Sequence, residues 1–116
     1  MSYDKSNVFA KILRGELPCE KTHESTLAMA FKNIHPMAKE HLLVVPKGEY
    51  SSFSDFAARA SDAEKLAWLD MIAKVAASLP DGGFRLVMNE GANAGQTVPH
   101  LHAHILGGEK MSVNGL

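Results

Sequence analysis

The sequence predicts an α+β domain: an antiparallel five-stranded sheet with one long and one short helix. Three observations lead there. Strand-like segments cluster on either side of one long helical stretch instead of alternating with helices, which disfavours a doubly wound parallel sheet. His100, His102 and His104 alternate with Leu101, Ala103 and Ile105, a period of two that suits a strand and would be scattered around a helix. At 116 residues, 46% hydrophobic and 22% charged, the chain has the composition of an ordinary globular domain and is too short for two. Residues 1–116 are therefore read as a single domain, with loose termini at 1–6 and 109–116.

The elements follow in order. Ser6 or Asn7 can cap a short helix carrying Val8, Phe9, Ile12 and Leu13; Gly15 ends it and Pro18 prevents its continuation. Residues 26–31 read as a strand, punctuated by Asn33-Ile-His-Pro36. Residues 41–46 form a nearly continuous apolar run, expected as a strand buried on both faces, with His41, Leu43 and Val45 on one of them. One helical turn is expected within 51–60. Ser61 and Glu64 then match a capping box, opening a helix from about 62 to 79. Its apolar stripe is Leu66, Leu69, Ile72, Val75, Ala76 and Leu79, together with Trp68. Pro80-Asp-Gly-Gly83 breaks it. Residues 84–89 read as a strand, and a loop from Gly91 to Thr97 turns back into a histidine strand over 99–106. That long hairpin places Asn89 near the loop and the start of the histidine strand.

Composition narrows the function. A net charge of −1 leaves no electrostatic footprint for nucleic acid or an anionic membrane. The single cysteine, Cys19, forms no internal disulfide. No stretch resembles a signal peptide or reaches membrane-spanning length, so a cytoplasmic protein is expected. His23 and His35 have no periodic partners and are assigned to surface or turn.

Three imidazoles on one strand face suit three chemistries: metal ligation, nucleophilic and acid–base work on a phosphate or carbonyl, or none. Strict alternation behind a Gly/Gln/Thr loop favours function. Bent backbone N–H groups beside imidazoles also make a candidate anion site.

The run His100-Leu-His102-Ala-His104-Ile-Leu106 resembles the motif of the histidine triad superfamily. Leu106-Gly-Gly108 resembles its nucleotide-binding, phosphoramidase branch rather than the dinucleoside polyphosphate hydrolases. The similarity extends from about Val8 to Gly108, through Phe9-Ala-Lys-Ile-Leu-Arg-Gly-Glu-Leu-Pro18, Ala30-Phe-Lys-Asn-Ile34, His41 to Pro46, Val87-Met-Asn-Glu-Gly91 and Gly95-Gln-Thr-Val98. The resemblance implies a homodimer with the sheet continuing across the interface, and a purine nucleotide as ligand. It implies a hydrolase cleaving adenylate–amine P–N bonds, in which His102 attacks the α-phosphorus and water cleaves the nucleotidyl–histidine. His100 and His41 would support His102, and a main-chain carbonyl at His100 would accept from its second ring nitrogen. His104, Asn89, Gln96 and Thr97, with Gly95 in the loop, would contact phosphate oxygens and the leaving group. Phe9, Ile12, Phe31, Asn33, Ile34 and Leu43 would hold the nucleoside.

The chain departs from the family in two places. Asn33 stands where relatives usually carry an Asp that accepts from both ribose hydroxyls; an amide has one carbonyl acceptor and a donor group. The tail from Met111 to Leu116 lacks the aromatic–proline ending of close relatives. No cofactor or metal is expected: Cys19 has no Cys-x-x-Cys neighbour, so the structural zinc site of some relatives is not anticipated. The alternatives are a dinucleoside polyphosphate hydrolase, a non-catalytic nucleotide-binding or scaffold protein, and a metal protein using the triad.

Overall fold

The computed structural model describes residues 3–113. Its helices are α1 (Val8–Leu13), α2 (Phe53–Arg59) and α3 (Asp62–Ala77). Its strands are β1 (Lys21–Glu24), β2 (Ala28–Lys32), β3 (Glu40–Pro46), β4 (Phe84–Val87) and β5 (Ala103–Gly107). They form one five-stranded sheet in the order β1-β2-β3-β5-β4, with every pair antiparallel. The predicted fold class is the observed one.

Local chemistry explains the helix ends. Asn7 accepts from the Ala10 N–H at the start of α1. Ser61 and Glu64 complete the capping box of α3 in both directions.

The sheet has two unlike faces. On one, Ala28, Ala30, Leu42, Val44, Ala103 and Ile105 pack with Trp68, Met71, Ile72, Val75 and Ala76 of α3, with Leu79 just beyond its end, and with Phe56 of α2. The Trp68 indole N–H also donates to the Val44 carbonyl at 3.1 Å, tying α3 to the middle of the sheet. On the other face Met29, Phe31, Leu43 and Val45 pack under Phe9 of α1. This second layer is thin, because α1 is only six residues long, and it leaves a cavity open beside the histidines.

Several details differ from the expectation. The strand not placed from sequence is β1, whose residues Lys-Thr-His-Glu form a largely exposed edge with no apolar alternation to reveal it. Residues 51–60 hold a complete helix, α2, rather than one turn. The histidine strand is shorter than predicted: ladder pairing begins at Ala103, and the Leu101 N–H donates instead to the Tyr50 carbonyl at 2.8 Å. The stripe of α3 is also narrower, since Leu66 and Leu69 are 62% and 60% exposed. At the N-terminus, Tyr3, assigned to a loose end, is hydrogen-bonded to His100. Residues 1–2 and 114–116 of the expected loose termini lie outside the described residues, as does the end of the Met111 to Leu116 tail. No helix among the described residues is long and apolar enough to cross a membrane.

Trp68→Phe keeps an aromatic ring in the core but removes the donor to Val44. We expect a loss of about 1–3 kcal/mol. A lower urea midpoint at unchanged m-value would show it; an unchanged midpoint would mean the indole bond contributes nothing.

Candidate active site

The site is built on the last turn of backbone before β5. His100 and His102 precede the ladder and His104 lies within it, yet the alternation persists: Leu101, Ala103 and Ile105 enter the α3 core. The three imidazoles take the opposite face beside Phe9, whose ring centroid is 4.9 Å from that of His102 and 6.5 Å from that of His100. His102 and His104 rings are 5.1 Å apart, and His41, brought in by β3, lies 5.2 Å from His104. All four candidate histidines therefore form one cluster.

Their proton positions follow from their partners. A carbonyl oxygen only accepts, so a ring nitrogen facing one must carry hydrogen. His102 Nδ1 lies 2.7 Å from the His100 carbonyl and donates to it. This is the carbonyl contact that the resemblance implied. Its Nε2 keeps a lone pair that no described residue engages. His41 Nδ1 accepts the Met37 N–H at 2.9 Å, so its Nε2 carries the proton and donates to His104 Nδ1 at 2.9 Å. His104 Nε2 then bears the hydrogen. His102 thus presents a nucleophilic lone pair and its neighbour presents a donor.

Burial keeps these rings neutral. His100 is pushed down to about 4 by desolvation, against the favourable bond to the Pro46 carbonyl. His104 is pushed to about 4 by desolvation and by the neighbouring His102 and His41. Desolvation also lowers His102 and His41.

His102 and His104 open onto a cavity of about 520 Å³. Phe9, Ile12, Phe31, Asn33, Ile34 and Leu43, the six expected nucleoside contacts, all line it. Sequence reasoning missed Val8, Leu17, Pro18, Cys19 and Val98 in the same wall, and His35 at its mouth. Val8 shares a helix with Ile12 and could have been inferred; the others reach the wall through loops, which no periodicity marks. The Asn33 carbonyl oxygen accepts the His35 N–H at 2.9 Å, and its amide nitrogen lies 3.3 Å from His41 Nε2.

The loop residues divide. Thr97 lines the cavity. Gln96 is a clamp: its amide donates to the Ser51 and Val98 carbonyls at 2.7 and 3.1 Å, and its oxygen accepts the Gly91 N–H at 3.0 Å. Its backbone N–H donates to the Gly91 carbonyl. These bonds engage both amide hydrogens and the backbone N–H of Gln96 within the protein. Gly95 adopts φ +85°, which permits the tight loop, and its N–H returns to the Ala92 carbonyl. Val87 pairs with His104 at the end of β4; Asn89 lies two residues beyond this ladder and is not part of the cavity wall.

The donor set does not suit a metal. His100 has both ring nitrogens bonded within the protein. Among the described residues no group of three or more His, Cys, Asp or Glu side chains is arranged to hold an ion.

An antiparallel α+β domain carrying three alternating imidazoles over an apolar cavity defines the histidine triad class. The chain belongs to the HIT family: the HIT domain matches residues 14–111. A 13.2 kDa HIT-like protein of Azospirillum brasilense is 46% identical over 112 residues, covering 95% of this chain and 92% of that protein. The HIT family hydrolase from Clostridium thermocellum is 36% identical with a TM-score of 0.83, covering 94% of this chain and 96% of that one. The histidine triad nucleotide-binding protein from Candida albicans is 29% identical with a TM-score of 0.74, over 86% and 73% of the two chains.

The depressed histidines make stability depend on pH. Unfolded histidines titrate near 6.5, whereas His100 and His104 titrate near 4 in the folded chain. Between these values the unfolded state binds more protons, so stability falls as pH drops through this window and is fully present above it. Glu24, lowered from 4.5 to about 2 by Lys21 and Lys47, adds a fall of the same sign that sets in near the lower end of the window and continues below it. Urea melts at pH 5 should give a lower unfolding free energy than at pH 7.5; equal values would refute burial of neutral imidazoles.

Proposed function

We propose that this protein is a hydrolase of purine nucleoside phosphoramidates, such as an adenylate joined to an amine. The observation that carries the reading is the pairing of a His102 Nε2 lone pair with the His104 Nε2–H beside one apolar cavity. His102 Nε2 attacks the α-phosphorus, a nitrogen–phosphorus bond forms, and the bond to the amine breaks as the amine nitrogen takes up a proton from solvent, which is returned when water cleaves the intermediate. Positive charge then develops on the His102 ring, and the Nδ1–H bond to the His100 carbonyl stabilises it. Water cleaves the nucleotidyl–histidine, releasing the nucleoside monophosphate and restoring neutral His102. His104 Nε2–H hydrogen-bonds a phosphate oxygen or the leaving group. Thr97 lines the same cavity as His102 and His104, and Asn89 would join it in contacting the phosphate or the leaving group.

Phe9, Ile12, Phe31, Ile34 and Leu43 offer the flat base an apolar slot, and Asn33 meets the sugar. The description of the Candida albicans relative supports a nucleotide as ligand, and the Clostridium thermocellum relative supports hydrolysis. No step calls for a metal or cofactor, and the substrate belongs to the soluble pool of the cytoplasm.

We further propose a homodimer. Of the two sheet edges, β1 carries Lys21 and Glu24, charges that discourage strand addition. The β4 edge carries Phe84 and Leu86, 49% and 42% exposed, and α3 leaves Leu66 and Leu69 uncovered. A second copy continuing the sheet at β4 would cover an apolar strand edge.

His102→Ala should lower hydrolysis of an adenosine phosphoramidate by more than about a thousandfold with the fold retained. Comparing kcat/KM for phosphoramidates, acyl-adenylates and dinucleoside polyphosphates tests the substrate class; a preference for the dinucleotides would replace it. Light scattering should give twice the chain mass of 12.6 kDa, and Leu86→Lys should halve it. A wild-type monomer with full activity would refute the dimer.

A further inference from the structure

We propose that Tyr3 is a positioning residue of the triad, its hydroxyl holding the His100 imidazole in one tautomer and orientation. The inference rests on the reading of His102 as the nucleophile.

His100 is completely buried, and both of its ring nitrogens are bonded. Nε2 lies 2.8 Å from the Pro46 carbonyl, so it carries the hydrogen. Nδ1 therefore has a lone pair, and it faces the Tyr3 hydroxyl at 2.5 Å. The hydroxyl must donate. Its oxygen accepts from the Asn7 amide at 2.8 Å. Asn7 is itself oriented: its oxygen accepts the Ala10 N–H that starts α1, and its amide also donates to the Asp4 carbonyl at 2.7 Å. Protons thus run in one direction, from Asn7 to Tyr3 to His100 to Pro46.

This chain of bonds crosses the molecule. Tyr3 and His100 are 97 residues apart in sequence, and Pro46 ends β3. The His100 ring is fixed at both ends, and the carbonyl of the same residue accepts His102 Nδ1–H at 2.7 Å. Anchoring the buried His100 side chain at both ends restrains the residue as a whole, and with it the main-chain carbonyl that orients His102 Nε2. Tyr3 also stands edge-on to the His100 ring, with centroids 5.6 Å apart, so a packing role must be separated from the hydroxyl's role. Phe would preserve packing and delete only the donor, leaving a buried lone pair unsatisfied.

The test compares Tyr3→Phe, Tyr3→Ala and the wild type by thermal unfolding, by steady-state kinetics on an adenosine phosphoramidate, and by nitrogen-15 spectra of the imidazoles at pH 7.5. The expected result is a fall in kcat of about tenfold in both variants, with KM within about twofold. In the spectra, His100 Nδ1 should shift toward an unbonded lone pair, and His102 should lose its single Nδ1–H form. Phe restoring wild-type kcat where Ala does not would overturn the inference in favour of packing. So would imidazole spectra in Tyr3→Phe identical to the wild type, whatever the kinetics. Wild-type inactivity on every nucleotide would overturn the proposed substrate; the spectra would still decide whether Tyr3 sets the tautomers.

Discussion

The bond from His102 Nδ1–H to the carbonyl of His100 sets what the cluster can do. Without it, the exposed nitrogen of His102 could bear the hydrogen and would have nothing to offer an electrophile. The bond spans only two residues, so it needs backbone outside a regular ladder: a carbonyl committed to a neighbouring strand would be less available. The chain meets this by delaying β5 until Ala103. His100 and His102 keep the strand-like alternation while their backbone stays outside the sheet.

That arrangement needs support from both faces of the sheet. Leu101, Ala103 and Ile105 are fastened into the α3 core, which sets the direction in which the intervening imidazoles project. On their own side, Phe9 closes over His102 and His100. The short helix carrying Phe9 covers part of this face and leaves the cavity open. Dense packing behind the triad and sparse packing in front follow from one long helix on one face and one short helix on the other.

The same burial governs the electrostatics. Four imidazoles in contact would repel one another if charged, and desolvation already disfavours their charged forms. Neutral rings can instead bond in sequence, as from His41 to His104. Asn33 belongs to this neighbourhood as well as to the cavity wall, because its amide nitrogen approaches His41.

The α+β class, the caps of α1 and α3 and the alternation of 100–105 were legible in the sequence. Each depends on local periodicity or on a side chain bonding its own backbone, and such signals are written in neighbouring residues. The strand β1 was not legible, since an edge needs no apolar face. Nor was the exposure of Leu66 and Leu69, because hydrophobicity does not say which part of a wide stripe meets a partner within the chain. The loop role of Gln96 and the reach of Tyr3 to His100 were likewise decided only by the tertiary structure. A hydrogen bond between residues 97 apart leaves no periodic trace; it exists because folding brings two unrelated stretches to one place and excludes water there.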